Sequence, residues 1–478
     1  MLGPFRRRIV ANGWLWFFGL LWAYLIFVFW LVRSGKMQQW NLSLMLGFIL
    51  MIRTQKGKKL LDKLGKARWF WNPFGDLGIA VVLFVMVGFT FLMLLTIGPS
   101  LDPDSGIQPA GADEIFVLPG INPILPLWYG LLGLIITLVV HEGGHGVLAR
   151  ANDLRVKSLG LLFAIVPIGA FVEPDEDEIK ETSIRKRLRV FSAGPMVNVV
   201  VGLLVLGGFA AMVGAATPLE GAPISSVTVD GPADLAGLVP GDRILAIDGN
   251  ATPDWDALGA AIDGHAPGDT VNATSQRGLH ELTLASRWDS LSAEQRAAIE
   301  QWTDDGQAYC QALYNESEDW GRCADLATQD AVMGVGVFRT EDWQATLTQP
   351  FGEGGRNFIT LLALPLGEVR GQPVLSSHLP TFLDTPFQED AFWIVANVLF
   401  WTFWLNILVG TFNALPMLPL DGGHIFRDSV AAIVHKVRPG LDRQSRDKII
   451  GRAAAIASLS ILGMILISLL GPRIAPLL

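Results

Sequence analysis

Long stretches without a single charged residue constrain this chain more than any other feature of its sequence. About 20 consecutive apolar residues are enough for a helix to cross the hydrocarbon core of a bilayer. The 478-residue chain is 51% apolar and has a positive mean hydropathy, which predicts a polytopic α-helical membrane protein with six or seven spans. The predicted spans are residues 9–32, 77–97, 127–140 with the segment that follows, 190–213, 391–420 and 453–470, and residues 37–52 form a marginal seventh.

Clusters of lysine and arginine predict which ends of these spans face the cytoplasm, because such residues collect in short cytoplasmic loops. Basic clusters lie at residues 6–8, 56–68 and 180–189. The first two clusters can share one side only if residues 9–32 and 37–52 form a helical hairpin. We interpret the first span as an anchor rather than a signal peptide, because its apolar stretch is long and no small-residue cleavage site follows.

Residues 216–390 have a charge composition opposite to that of the rest of the chain. They contain 27 Asp and Glu against 8 Arg and no Lys, whereas the remainder contains 28 basic and 18 acidic residues. A large region without lysine after the fifth span is typical of an extracytoplasmic domain. Asn250, Asn272 and Asn315 each begin a glycosylation sequon, which is compatible with that side of the membrane.

The two cysteines, Cys310 and Cys323, both lie in this acidic region. On the extracytoplasmic side they are expected to form a disulfide, whereas in a cytosolic loop they would remain free thiols. Neither cysteine has the spacing of a zinc knuckle. Any metal site in this chain must therefore use histidine and carboxylate ligands.

The sequence His141-Glu-Gly-Gly-His145 directly follows the uncharged run 127–140. Histidines four residues apart lie on one face of a helix, so both imidazoles can bind one zinc ion and Glu142 can act as a base beside them. Ionisable groups at membrane depth are costly and are usually there for a function. The alternative is that both are ordinary helix-end histidines.

A catalytic zinc needs a third protein ligand, and Asp421 is the candidate. It ends the 30-residue uncharged run 391–420, just after Pro416 and Pro419 have interrupted the helix. Asp421 could instead only cap the following helix. His424 could compete for the metal or support it from a neighbouring position. Asn413 could donate a hydrogen bond to a substrate carbonyl or oxyanion, or simply cap its own helix.

Together these motifs resemble the site-2 protease family of intramembrane zinc metalloproteases. The resemblance covers residues 127–215 and 391–436 and includes a weaker element, Gly194-Pro-Met-Val-Asn198. It implies that His141, His145 and Asp421 bind Zn²⁺ and that Glu142 is the catalytic base. It also implies membrane-anchored protein substrates, which are already trimmed on their outer side.

Two further segments have counterparts in that family. Residues 231–249, which begin with Gly-Pro-Ala-Asp-Leu and include a Pro-Gly turn followed by a strand pattern, look like part of an α+β PDZ domain inserted between core helices. Such a domain would bind or exclude substrate ectodomains, or only pack, and a polar insertion at about 286–329 leaves its peptide groove in doubt. Residues 159–172 are expected to be strand-like or re-entrant, and they either hold the unwound substrate or form an interfacial loop.

These patterns predict an ordered series of segments. They are N-terminal membrane helices (1–97), an extracytoplasmic loop (98–126), the first half of the protease core (127–215), the PDZ-like domain (216–345), an extracytoplasmic connector (346–390), the second half of the core (391–436), and a cytoplasmic loop with the last helix (437–478). The active site is expected toward the cytoplasm. The expected partners are the bilayer and membrane-anchored substrates, without nucleic acid.

Three other functions predict different behaviour. Another integral zinc protease class would take its third ligand from a Glu on a downstream helix, so Asp421 would not affect zinc content. A membrane scaffold that binds peptides through the PDZ-like domain would hold no zinc. A metal transporter would tolerate Glu142→Gln, because a general base is needed only for hydrolysis.

Overall fold

The computed structural model describes residues 19–475 apart from residues 46, 104, 106–108, 110–118, 120, 121, 123, 165, 315–319, 338 and 368–380. The chain divides into two compact units. The first unit combines Met1–Gly207 with Val398–Leu478, and the second unit is Gly208–Asn397.

The first unit begins with short elements rather than with a helical hairpin. In chain order they are helix α1 (Gly19–Arg33), helix α2 (Lys36–Gln39), strand β1 (Leu42–Met45), strand β2 (Ile49–Thr54) and helix α3 (Lys58–Gly65).

The marginal span predicted at residues 37–52 is therefore wrong. Asn41 and Gly47 adopt positive φ angles of 52° and 79°, which break a helix and allow β1 and β2 to pair in an antiparallel hairpin. Without this span, the helical hairpin that placed the N-terminus on the cytoplasmic side is also lost. Residues 9–18 of the first predicted span lie outside the described residues.

The apolar runs that follow form long helices separated by a hairpin of strands. These elements are α4 (Arg68–Leu101), α5 (Leu127–Ala151), β3 (Val156–Ala164), β4 (Val166–Pro174), α6 (Glu176–Glu181) and α7 (Ile184–Val213). The strands expected within residues 159–172 are confirmed as β3 and β4. They extend the first hairpin into one antiparallel sheet of order β1-β2-β3-β4.

The second unit contains an antiparallel sheet with helices packed on it. Its elements up to the polar segment are β5 (Thr217–Pro218), β6 (Ala222–Val227), α8 (Pro232–Leu235), β7 (Arg243–Ile247), β8 (Asn250–Ala251), α9 (Trp255–Ile262), β9 (Thr270–Ser275), β10 (Gly278–Thr283) and β11 (Ala285–Ser286). Buried aliphatic side chains such as Ile224, Ile244 and Val271 form its core.

The predicted polar insertion forms a helical cluster with its own core. It contains α10 (Arg287–Ser290), α11 (Ala293–Glu300), α12 (Asp304–Tyr314) and α13 (Trp320–Gln329). The disulfide expected between Cys310 and Cys323 is present and joins α12 to α13, with both cysteines fully buried. It packs against Trp288, Trp302 and the nearby tyrosines.

The chain then returns to the sheet before it re-enters the first unit. The next elements are β12 (Ala331–Val332), β13 (Val335–Val337), α14 (Thr340–Thr348), α15 (Arg356–Gly367) and β14 (Leu383–Asp384). The strand order β10-β9-β7-β6-β13, with β8 attached to β7, leaves β6 between two neighbours. Whether this unit is a PDZ domain stays a prediction.

Three helices complete the chain: α16 (Glu389–Asn413), α17 (Asp421–Val437) and α18 (Arg443–Ile474). Among the described residues, five helices are long and apolar enough to cross a membrane, namely α4, α5, α7, α16 and α18. The described part of the chain therefore contains fewer spans than the six or seven expected. Helix α16 ends at Asn413, and Pro416 and Pro419 lie in the loop before α17. The interruption of the helix before Asp421, which the sequence predicted, is confirmed.

Candidate metal centre

Helix α5 presents the two histidines of the motif on one buried face. His141 and His145 are 5% and 8% exposed, and their ring centroids lie 4.9 Å apart. Their Nε2 atoms are 3.2 Å from each other, so both lone pairs can point toward a common centre. The four-residue spacing along a helix produces this convergence.

Asp421 completes the group at the first residue of α17. Its Oδ2 atom lies 3.1 Å from Nε2 of His141 and 3.2 Å from Nε2 of His145, although 280 residues separate it from His141. Leu420, not Asp421, occupies the N-cap position of α17.

The donor set fits zinc in chemistry and in spacing. Two imidazole nitrogens and one carboxylate oxygen form a ligand set found in catalytic zinc sites. Tetrahedral ligands with bonds of about 2.0 Å lie about 3.3 Å apart. The observed separations of 3.1 to 3.2 Å match that value. Among the described residues, no other group of three or more His, Cys, Asp and Glu side chains has this arrangement.

Helix α7 orients both imidazoles from the side opposite the ligand atoms. Nδ1 of His145 lies 2.7 Å from the Val190 carbonyl oxygen, which can only accept a hydrogen bond. Nδ1 of His145 is therefore protonated, and its Nε2 is free to bind a metal. A backbone or carboxylate acceptor at this position is usual for metal-binding histidines.

Asn198 occupies the equivalent position beside His141. Its side-chain amide lies 3.0 Å from Nδ1 of His141 through Nδ2, while Oδ1 is buried without a partner. Turning the amide by 180° places Oδ1 against Nδ1–H of His141, which is the arrangement that metal binding through Nε2 requires. In that orientation Nε2 of His141 is free to hold a metal.

Two glycines allow α5 and α7 to approach each other at this centre. A Cβ atom on Gly194 of α7 would lie 2.4 Å from Nε2 of His145 and 2.6 Å from Nε2 of His141. A Cβ atom on Gly144 would meet the Ala193 carbonyl oxygen at 3.0 Å. Gly194 therefore leaves the space that the ligand atoms face.

Glu142 lies beside the group and contacts the neighbouring sheet. Its Oε2 atom accepts a hydrogen bond of 2.9 Å from the backbone N–H of Val172 in β4. The carboxylate is partly exposed, in contrast to the two buried histidines. This bond links the candidate base to the last strand of the four-stranded sheet.

The other predicted residues are not brought into the ligand group. The amide nitrogen of Asn413 donates to the Val409 carbonyl oxygen of its own helix at 3.1 Å, and its role toward substrate stays a prediction. The His424 ring stacks on Phe191 with centroids 4.7 Å apart. Burial and then the charge of Arg427 lower the pKa of His424, which favours the neutral imidazole.

Sequence reasoning noted Gly194 and Asn198 only as a weaker element of the resemblance and assigned them no role at the metal. It did not identify Val190, Arg187 or Asp428. Helix α7 contacts the histidines through three residues spaced four apart, Val190, Gly194 and Asn198. The same four-residue spacing separates His141 from His145, and this shared spacing is the sequence signal that could have identified them. Arg187 also pairs with the buried carboxylate of Asp428 through a 2.8 Å contact, which joins α7 to α17.

Comparisons with known proteins agree with this chemistry. A family model described as Peptidase family M50 matches residues 129–450. The chain is 24% identical to an uncharacterized protein of Methanocaldococcus jannaschii over 92% of this chain and 96% of the relative. It is 23% identical to the zinc metalloprotease Rip1 of Mycolicibacterium smegmatis (62% of this chain, 82% of the relative) and 22% identical to Rip1 of Mycobacterium bovis (66% and 87%).

Proposed function

Since the chain belongs to peptidase family M50, the site-2 protease family, we propose that it hydrolyses peptide bonds in or near the transmembrane segments of membrane-anchored proteins. The observation that carries this proposal is the convergence of His141, His145 and Asp421 beside Glu142, in the C-terminal half of a membrane-length helix. The five apolar helices and the family together make the protein an integral membrane protein. Relatives named as zinc metalloproteases support zinc as the metal.

The proposed reaction assigns a separate task to each group. When bound by His141, His145 and Asp421, zinc would polarise the scissile carbonyl and lower the pKa of water. Glu142 accepts a proton from the attacking water while the water oxygen bonds to the carbonyl carbon. As the C–N bond breaks, Glu142 delivers that proton to the leaving amine, so one water is consumed for each bond cut. Val190 and Asn198 keep the imidazoles oriented throughout.

We also propose that the outer edge of β4 holds the unwound substrate. A helical substrate hides its carbonyls in i→i−4 hydrogen bonds, so it must become extended before hydrolysis. β4 is the last strand of its sheet, and an extended peptide can add to such an edge through backbone hydrogen bonds. The bond from Val172 to Glu142 supports this position, because it brings the candidate base to the same strand.

The active site is proposed to face the cytoplasm, with the acidic second unit on the other side. Basic residues before α4 and at the start of α7 support this orientation. Single cysteines can test it, because both native cysteines are joined in a disulfide. An impermeant maleimide is expected to label Asp263→Cys in intact cells and Lys180→Cys only after permeabilisation. The reverse pattern would overturn the orientation.

The second unit is proposed to restrict access by bulky substrate ectodomains rather than to bind peptides along β6. Strands β7 and β13 flank β6, so no edge of β6 is available for strand addition among the described elements. A peptide that titrates backbone resonances of β6 without displacing β13 would contradict this proposal.

Glu142→Gln is the most direct test of the proposed reaction. The variant is expected to bind zinc like the unmodified chain but to lose cleavage of a single-span substrate by at least about 100-fold, because a general base contributes 10²- to 10⁴-fold. The assay uses proteoliposomes, a substrate whose outer domain has been removed, and bound zinc measured per chain. Glu181→Gln, at an exposed position at the end of α6, is the matched control. Undiminished cleavage by Glu142→Gln would exclude the proposed role.

A further inference from the structure

A cavity of about 770 Å³ opens at one end of the four-stranded sheet, and no step of the proposed reaction uses it. All four strands contribute to its lining: Ser43 from β1, Arg53 from β2, Lys157 and Ser158 from β3, and Glu173 from β4, while Lys56 follows β2. We call this the basic cavity. It lies wholly within the first unit.

Positive charge exceeds negative charge around the basic cavity. The Arg53 guanidinium lies 3.8 Å from Glu173, and the Lys157 ammonium lies 3.3 Å from Asp175. The Lys56 ammonium is exposed and has neither a hydrogen bond nor an ion pair among the described residues. The Ser43 hydroxyl, in the cavity lining, is buried without a partner. The cavity therefore offers an unpaired cation and an unused hydroxyl donor to an anion.

The same sheet becomes apolar away from the cavity. Met45 lies two residues after Ser43 in β1, so the two side chains share one face of the sheet, and Met45 is 41% exposed. Phe48, near the turn of the first hairpin, is 44% exposed. In an integral membrane protein, exposed apolar side chains of this kind can contact acyl chains. The polar end of the sheet then lies near the boundary between hydrocarbon and water.

Two tryptophans mark that boundary independently. The Lys36 ammonium lies 4.4 Å from the ring centroid of Trp30 and 5.7 Å from that of Trp40. Tryptophan is enriched at the level of lipid headgroups. Trp40 directly precedes Asn41, another residue of the cavity lining, so the cavity and this aromatic pair are adjacent in the chain.

We propose that the basic cavity binds the phosphate-bearing headgroup of an anionic phospholipid. The phosphate contacts Lys56, Arg53 and the Ser43 hydroxyl, and the acyl chains follow the exposed apolar side chains of the sheet. Inorganic phosphate shares the headgroup's charge, but it gains nothing from Met45 and Phe48. A phospholipid is the ligand that uses both the polar and the apolar ends of the sheet.

Native mass spectrometry of the full-length protein tests this proposal. The protein, released from a neutral detergent, is titrated with phosphatidylglycerol, phosphatidylcholine or glycerol 3-phosphate. We expect phosphatidylglycerol to bind most tightly. Lys56→Gln is expected to weaken its binding about fivefold, since a basic residue near a lipid surface contributes about that factor. The combination Arg53→Gln, Lys56→Gln and Lys157→Gln is expected to weaken binding at least about tenfold.

The matched control removes three charges from the neighbouring helix α3 and the residue after it. Lys59, Lys63 and Lys66 are exposed and do not line the cavity, so their change to Gln is expected to alter binding less than twofold. Equal losses of phosphatidylglycerol binding in both triple variants would show that positive charge anywhere in this region has the same effect, and they would overturn the proposal. So would a lack of preference for phosphatidylglycerol, or equally tight binding of glycerol 3-phosphate. If the triple variant unfolds, binding by Lys56→Gln still tests the proposal, because the Lys56 ammonium has no hydrogen bond or ion pair among the described residues.

Discussion

The metal centre and the basic cavity are both polar regions of the first unit, but they are built in opposite ways. At the metal centre, buried side chains each face one particular partner, as His145 faces Val190 and Arg187 faces Asp428. At the basic cavity, half-exposed charges such as Arg53 and Glu173 lie 3.8 Å apart. Buried polar groups are costly when they lose a partner, whereas exposed charges are screened by solvent. Single substitutions are therefore expected to have large effects at the metal centre and small effects at the cavity.

Removing the third ligand is the strongest test of this contrast. Asp421→Ala is expected to abolish cleavage and to lower zinc affinity by more than the 10- to 100-fold that an outer partner contributes, since two histidines alone hold the metal poorly. Bound zinc per chain and competition with a chelator measure the effect. Asp447→Ala, at an exposed carboxylate of α18, is the control. Unchanged zinc content in Asp421→Ala would instead favour a third ligand from another helix.

Breaking the buried ion pair between α7 and α17 is expected to have the next largest effect. Arg187→Gln leaves the Asp428 carboxylate, whose side chain is 4% exposed, without its charged partner. Loss of one partner of a buried pair costs about 3 to 5 kcal/mol of stability. Thermal unfolding in detergent measures the loss. The double change Arg187→Met and Asp428→Leu is expected to recover most of it, and equal loss in both variants would show that the pair itself is not responsible.

Asn198 tests whether orientation of a histidine can be separated from ligation. Asn198→Leu removes the acceptor for Nδ1–H of His141 and is expected to weaken zinc binding about 10- to 100-fold. Asn198→Asp keeps an acceptor oxygen and is expected to bind zinc within about tenfold of the unmodified chain. Both affinities come from chelator competition. Full affinity in the leucine variant would mean that Asn198 only fills space between the helices.

The smallest effect is expected at the cavity. Arg53→Gln separates an exposed pair whose side chains are 44% and 36% exposed. Such pairs contribute about 0 to 1 kcal/mol, so the unfolding midpoint is expected to change little in the absence of anionic lipid. A loss of stability as large as that of Arg187→Gln would show that the metal centre and the basic cavity do not differ in this way.

The sequence predicted which candidate ligands come together better than it predicted their surroundings. His141, Glu142 and His145 were recognisable because covalent spacing along a helix determines which side chains share a face. Asp421 was recognisable because a carboxylate at membrane depth is costly, so its position at the end of an uncharged run indicates a function. The roles of Val190 and Asn198 depend instead on how α7 packs against α5. Val190 acts through its backbone carbonyl, which every residue type has, so the sequence does not show which carbonyl accepts the hydrogen bond.

The same limit explains the error at residues 37–52. An apolar run of 16 residues suits a short span and a pair of strands equally well, and periodicity does not separate them. The strands are favoured by the turn at Gly47 and by the pairing of β2 with β3, a strand more than 100 residues later in the sequence. Local composition contains no information about such a distant partner.

The ion pair between Arg187 and Asp428 has a consequence for how the enzyme can be assembled. It joins a helix that precedes the second unit to one that follows it, and the hydrogen bond from Asn406 to Thr137 joins α16 to α5 in the same way. The two halves of the metal centre therefore recognise each other through contacts of their own. Two separately synthesised polypeptides, divided within Gly208–Asn397, are expected to reconstitute a zinc-binding protein in one membrane.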